Sequence, residues 1–355
     1  CTKFIFIMFF ACINNHVMYY LFHPIYIKLT IMKKLIAVLS SAILLTACGG
    51  GGGSSSSENT VKPDSNNIGN TPKDDVITTS LFDVKPDVEN CVPGVVSEET
   101  KRNFLAAVNE IRALHNLSPV IYDYSADNEM QKTALVMAAN KTISHFVGEN
   151  WACYTPETST GAKAANLSII GKPVNSLNPI EHLASWMDEN NSPDLGHRRW
   201  ILNPFLKKIA LGITENKSGG VTLSSSAMKV VYEDDFQLTS DSNSTNGFVA
   251  YPYGKYPKQY FNSNSFLSFS VFNSPYSFWD NKKVDYSNAT ILVTDSLNNP
   301  QVTKDIAFDN KGYGLANNLQ FKIENIKENT TYKVYVSNVL VNGIEQNFDY
   351  SFSIE

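Results

Sequence analysis

The chain has 355 residues, 43% of them hydrophobic and 18% charged, with a formal net charge of −5. That balance belongs to a globular protein long enough for two ordinary domains, and it excludes a chain that is disordered throughout. No basic stripe accompanies the small net charge, so no nucleic acid partner is expected.

Residues 1–31 begin at Cys1 and run through Phe, Ile, Tyr and Asn without a domain pattern, and they read as an upstream or spurious segment outside the protein proper. A genuine hydrophobic membrane segment there is the rival reading. From Met32 the chain runs MKKLIAVLSSAILLTACGG: two lysines, an apolar stretch from Leu35 to Leu45 broken only by Ser40 and Ser41, then small residues up to Cys48. A charged start, an apolar middle too short for a comfortable membrane span and a small-residue cut are the layout of a signal peptide, here 32–47. Leu45-Thr46-Ala47-Cys48 resembles the bacterial lipobox. That implies a lipoprotein acylated on the Cys48 thiol (a palmitate-type modification), with the membrane as partner through the lipid; a plain secretory signal with an incidental cysteine is the alternative.

From Cys48 to residue 90 the composition turns to Gly, Ser, Pro, Asp, Asn and Thr, the signature of a flexible tether. Some forty residues of such chain reach roughly 35 Å by the square-root law. The expected location is the cell envelope, lipid-anchored outside the cytoplasm. In a cell with an outer membrane, Gly49 lacks the aspartate that resembles an inner-membrane retention signal, so the outer membrane is expected. With Cys48 acylated and Cys1 and Cys12 upstream, Cys91 and Cys153 remain in an oxidising setting, where a disulfide bond is expected and two free buried thiols are the alternative.

A first domain is expected over 91–236. Ser97-Glu98-Glu99 reads as a helix start, followed by Phe104, Leu105, Val108, Ile111 and Leu114 at helical spacing. Ser125 is placed to cap a second helix with an apolar stripe of Met130, Ala134, Leu135, Met137 and Ala138. Pro179 opens a third before Ile180, Leu183, Trp186 and Met187, and GHRRWILNP (Gly196 to Pro204) reads as a short helix ended by proline. Two β-type runs follow, Ile209 to Thr214 and Met228 to Glu233, so helices precede strands in a mixed α/β domain.

VNEIRALHNLSPV in the first helix, the Ile143-Ser144-His145 triplet, WMDE at Trp186 to Glu189, and GHRRWILNP before the IALGI strand together resemble the CAP superfamily, the SCP-like extracellular domain. The resemblance covers nearly all of residues 95–235, and GHRRWIL is its most specific part. It implies an α-β-α sandwich with a surface cleft whose floor carries two histidines and two glutamates. The histidines fall on His145 and His197 and one glutamate on Glu189. The other belongs to a Gly-Glu-Asn-Ile type motif matched here by Ala164-Ala165-Asn166-Leu167, so Ala165 stands where the carboxylate would be and Asn166 joins the expected ligand-binding set. His145, His197 and Glu189 suit weakly bound zinc as well as acid/base chemistry. His115 and His182 are read as structural or surface residues, and Arg198 and Arg199 as salt-bridge formers or as contacts for an anionic ligand.

After a linker at 237–247, the last domain, 248–355, is written in strands. Phe348, Tyr350, Phe352 and Ile354 alternate with polar residues, as do Tyr332, Val334 and Val336, with Asn342-Gly343 as a hairpin turn between the two runs. Further strands at Phe266 to Phe272, Thr290 to Thr294, Val302 to Phe308 and Leu319 to Ile323 give the spacing of an immunoglobulin-like sandwich. The cluster Tyr251, Tyr253, Tyr256, Tyr260 and Phe261 suits interdomain packing or stacking on sugars. The expected function is a surface-tethered, non-enzymatic CAP protein holding a small molecule, lipid or cell-wall fragment. The alternatives are a metal-assisted hydrolase in the same cleft, against which stands the lack of HExxH and GxSxG motifs, and an adhesin acting through the β-sandwich.

Overall fold

The computed structural model describes residues 80–172, 178–189, 192–218, 220–233 and 247–355. The upstream segment 1–31, the signal peptide 32–47, the acylation residue Cys48, the tether up to residue 79 and residues 237–246 of the second linker lie outside the described residues.

The described residues begin inside the stretch read as tether. Strand β1 (Phe82–Val84) pairs antiparallel with β2 (Val95–Val96), and Phe82 is buried against the core. Leu81 and Phe82 are large apolar residues in an otherwise polar stretch, and their burial anchors it. Helix α1 (Glu98–Leu114) begins where its cap predicts: Ser97 Oγ accepts the Thr100 N–H, and Glu98 and Glu99 sit in the first turn, where the helix dipole favours acid. Phe104, Val108 and Ile111 form its fully buried stripe. Strand β3 (Ile121–Tyr122) and a single 3-10 turn lead to α2 (Asp127–Asn140). Ser125 does not cap α2; its N–H is itself taken by Asp123, which caps the preceding turn. Helix α3 (Pro156–Ala164) and strand β4 (Ala165–Lys172) escaped the sequence reading, although Thr155-Pro156 before Thr158 is a helix-start signal. Helix α4 (Pro179–Asp188) is capped by Asn178, and α5 (Gly196–Ile201) is the GHRRWI segment.

Strands β5 (Lys208–Ser218) and β6 (Val221–Lys229) complete a sheet in the order β3-β5-β6-β4, with β3 parallel to β5 and the other pairs antiparallel. The second run, expected at Met228 to Glu233, lies earlier because Ser224, Ser225 and Ser226 are strand residues: Ser225 Oγ donates to the Ala134 carbonyl of α2 and Ser226 Oγ to Gly212. The period-two alternation divides the sheet into two faces. Ala210, Ala227, Ala165 and Leu167 face α2 and α3, while Ile209, Leu211, Ile213 and Met228 face α1 and α4. Small residues on the α2 side permit a very close approach, since a Cβ at Gly212 would stand 2.0 Å from the Met130 carbonyl oxygen. This is the expected α-β-α sandwich.

The C-terminal strands form two facing sheets. One runs β12 (Pro300–Gln301), β11 (Thr290–Thr294), β15 (Tyr332–Val341), β16 (Ile344–Ile354), β8 (Gly254–Tyr256), with β10 (Val284–Asp285) also on β15; the other runs β13 (Thr303–Asp309), β14 (Asn318–Ile323), β9 (Leu267–Val271), β7 (Phe248–Tyr251). Asn342 and Gly343 adopt positive φ of 52° and 78° in the β15–β16 hairpin, as the dipeptide predicts. Val293, Val334, Val336, Phe269 and Phe321 meet between the sheets, so the region is the expected β-sandwich.

Cys91 and Cys153 are disulfide-bonded, with Cα atoms 5.2 Å apart across 62 residues. Closing a loop of this length is worth about 4 kcal/mol by chain entropy, so the Cys91→Ser/Cys153→Ser double variant should lose stability of that order in equilibrium unfolding; a loss below about 1 kcal/mol would show that the entropy term is offset in the unfolded chain.

Two histidines are sealed inside. His182 Nδ1 lies 2.9 Å from Ser168 Oγ and its Nε2 2.7 Å from Ser224 Oγ, and burial with the nearby Lys172 charge pushes its pKa down to about 4. His115 Nδ1 lies 2.8 Å from the Ala250 carbonyl, and burial, with the charges of Arg198 and Arg112, pushes it down to about 3 from an ordinary 6.5. Both are structural and neither is at the surface. Because the folded state keeps them neutral while the unfolded chain protonates them near 6.5, their contribution is complete above about pH 6.5 and declines as pH falls toward 4 and then 3. Urea midpoints measured between pH 4 and 6.5 should therefore drop with acid, and His182→Gln should flatten that slope; an unchanged slope would mean that His182 is not held neutral.

Candidate functional site

The candidate site is assembled from three elements. His145 stands in the loop after α2, with its ring on the α3 side: its Nδ1 is 2.6 Å from the Ala162 carbonyl oxygen. Partial burial of the ring, together with the nearby His197, holds its pKa below the ordinary histidine value, against the opposing pull of that carbonyl. His197 sits in the first turn of α5, its side chain 27% exposed, with Nδ1 2.9 Å from Glu189 Oε1. Glu189 ends α4, with its side chain only 3% exposed. Its Oε2 accepts the Arg198 backbone N–H at 2.9 Å, whereas Oε1 receives no well-directed hydrogen bond despite its closeness to His197. Asn166 of β4 is buried and donates from Nδ2 to the His197 carbonyl at 3.0 Å, so it holds the backbone of α5.

The sequence-derived residues thus converge, but with distinct tasks. Each imidazole turns Nδ1 toward the protein: that of His145 bonds to a carbonyl, and that of His197 lies 2.9 Å from a carboxylate. Glu189 is turned to His197 and to the main chain of Arg198. Among the described residues no three His, Cys, Asp or Glu side chains are gathered to hold a metal ion. The Glu189 carboxylate, expected beside His145 and His197 as a zinc ligand, lies against His197 Nδ1. Ala165 lies in the apolar cluster with Ala162, Val147 and Leu167, which accounts for the lack of a charge there. Trp186 backs the site, donating from Nε1 to the Leu167 carbonyl at 3.0 Å with its ring centroid 6.5 Å from that of His197.

Backbone conformation is unusual on both sides of the pair. Glu189 has φ 42° and Leu195 φ 50°, left-handed values that cost a non-glycine residue about 1–2 kcal/mol. Such conformations persist where surrounding contacts over-determine them. The two arginines after His197 supply many of those contacts. Arg198 is fully buried and donates to the carbonyls of Met187 (2.6 Å), Asp188 (2.7 Å) and Phe266 (2.8 Å), while Tyr251 lies under its guanidinium at 3.7 Å. Arg199, also fully buried, makes a bidentate pair with Asp309 at 2.9 and 3.1 Å and donates to the Leu315 carbonyl. Arg199 is the expected salt-bridge former; neither guanidinium is presented to a ligand. Phe266, Tyr251, Asp309 and Leu315 lie 50 to 120 positions away in the sandwich, so no local signal could have revealed these partners. The aromatic cluster of Tyr251, Tyr256, Tyr260 and Phe261 is likewise buried where the two regions pack.

Among the described residues no helix is long and apolar enough to cross a membrane. No curated protein matches the chain. Residues 105–232 match the family model described as the cysteine-rich secretory protein family, CAP. They span α1 to the end of the β5–β6 sheet and contain His145, Asn166, Glu189 and His197. With its α-β-α layering and paired histidines, this segment is a CAP domain.

Proposed function

We propose that the protein is an extracytoplasmic lipoprotein, acylated at Cys48, whose CAP domain holds a small ligand or cell-wall fragment against His145 and His197 without turning it over. The carrying observation is the direction of the carboxylate. Glu189 is turned toward His197 and accepts the Arg198 amide, so among the described residues the carboxylate of this site faces protein groups and is not placed as a free general base. Among the described residues neither imidazole is hydrogen-bonded to a hydroxyl or thiol that would serve as a nucleophile. What the site offers is two imidazole edges, hydrogen-bonding groups for a polar ligand, with the exposed Ile143 and Phe146 flanking His145 as apolar contact surface. The Gly/Ser-rich composition from Cys48 to residue 79 is that of a flexible tether, and some thirty residues of it reach roughly 30 Å by the square-root law, a reach suited to envelope components.

Two measurements test this reading. Cys48→Ser should abolish fatty-acid labelling of the protein in its own cell, and a mature chain that still contains residues 1–31 would overturn the anchoring. Native mass spectrometry of protein purified from its own envelope should show a retained small molecule that is lost in His145→Ala and His197→Ala. Hydrolysis of a peptide or ester library that disappears in His145→Ala would replace binding by catalysis, and ligand retained after both substitutions would move the binding site to the β-sandwich.

A further inference from the structure

The segment from Asp188 to Arg199 carries Glu189 and His197, and much of what holds it comes from outside the CAP domain. Ser265, just before β9, donates to the Asp188 carboxylate. Gln320 of β14 donates from Nε2 to the Pro193 carbonyl at 3.0 Å, and Lys311 pairs with Asp194 at 2.6 Å. Arg198 reaches the Phe266 carbonyl, and Arg199 is clamped by Asp309 and Leu315. At Gly314, φ is +71° and a Cβ would stand 2.4 Å from the Arg199 carbonyl carbon and oxygen, so the sandwich loop lies directly on the backbone of α5. Sandwich residues therefore grip the segment at positions 188, 193, 194, 198 and 199, on both sides of two residues held in left-handed conformation.

We infer that the β-sandwich is a positioning element of the CAP site: through Gln320 and Lys311 it fixes Pro193 and Asp194, ahead of Leu195 and α5, so that His197 Nδ1 and the Arg198 amide meet the Glu189 carboxylate. Left-handed Glu189 and Leu195 are disfavoured for non-glycine residues and relax without outside restraint, and relaxation at either moves the carboxylate and the Arg198 amide apart. Gln320 and Lys311 touch neither imidazole. They act through Pro193 and Asp194, and the sandwich thereby becomes part of the binding machinery instead of a separate module. The inference builds on the site assignment above, but it concerns geometry and holds or fails whether or not the site takes a ligand.

The reporter is the Arg198 backbone amide, which donates to Glu189 Oε2. In Gln320→Ala, Lys311→Ala and the double variant of the mature chain, hydrogen exchange at Arg198 should accelerate, by about tenfold in the double variant, while the Ile213 amide in the core of the sheet keeps its protection, the pattern of a local opening. The Lys311–Asp194 pair is solvent-exposed, so Lys311→Ala leaves global stability nearly unchanged; Gln320 is buried and also accepts from Asn318 Nδ2, so retained Ile213 protection is the check that the variants carrying Gln320→Ala stay folded. Lys304→Ala, which breaks a surface pair with Glu324 within the sandwich, serves as control and should leave Arg198 unaffected. Modification of His197 by diethyl pyrocarbonate, followed by peptide mapping, should change severalfold relative to His145 in the double variant. Unaltered Arg198 exchange and His197 reactivity in the double variant would overturn the inference, as would acceleration at Arg198 and Ile213 alike, which would mark general destabilisation. Loss of ligand retention in His145→Ala tests the proposed function separately, and neither result decides the other.

Discussion

The architecture around the site depends on two adjacent buried guanidinium groups. Arg198 and Arg199 follow His197 on a helix of only six residues, too short to be stable by itself. Each is taken fully out of water, a cost offset by acceptors at every guanidinium nitrogen except Arg199 Nε. Those acceptors come from both sides: Met187 and Asp188 from the end of α4, Phe266, Asp309 and Leu315 from the sandwich. Satisfying the arginines thus fastens α4 to α5 and the CAP domain to the sheets beyond it. A third buried arginine, Arg112 of α1, extends the pattern by donating to the carbonyls of Ser118, Ile201 and Asn203, which joins α1 to the chain leaving α5.

The local strain at Glu189 and Leu195 makes sense within this frame. The Glu189 carboxylate at the end of α4 points back toward α5, and Glu189 and Leu195, the residues bordering the two helices, are both left-handed. Burying the Glu189 side chain beside His197 gives the imidazole a fixed orientation, and Asn166 fixes the main chain at the same residue. The result is a pre-organised pair of rings on rigid supports, an arrangement that lowers the entropic cost of binding. Opposite this pair, α2 is pressed onto Gly212 and two alanines, and Asn140 at its end bonds to both backbone groups of Ala152, next to the Cys91–Cys153 disulfide, so the His145 side of the site is braced independently of the sandwich.

The sequence by itself determined the elements and the chemistry that depend on neighbours in the chain. The Ser97 cap, the apolar stripe of α1, the Asn342-Gly343 hairpin and the alternating strands of the sandwich were legible because helix and strand periods and turn preferences are local properties. The family pattern located His145, Glu189, Asn166 and His197, and cysteine counting located the disulfide. Local rules also misled in places: Ser125 looked like a cap where Asp123 does the capping, and the serine run hid half of β6, because its hydroxyls bond to carbonyls far off in the sequence. What each site residue does was decided only by the tertiary structure. Whether Glu189 faces a metal or a histidine, whether Arg198 meets a ligand or a tyrosine ring, and whether the sandwich stands apart or grips the site all depend on groups brought together from 50 to 120 positions away, and on burial, which makes an unpaired charge costly enough to dictate where each one turns.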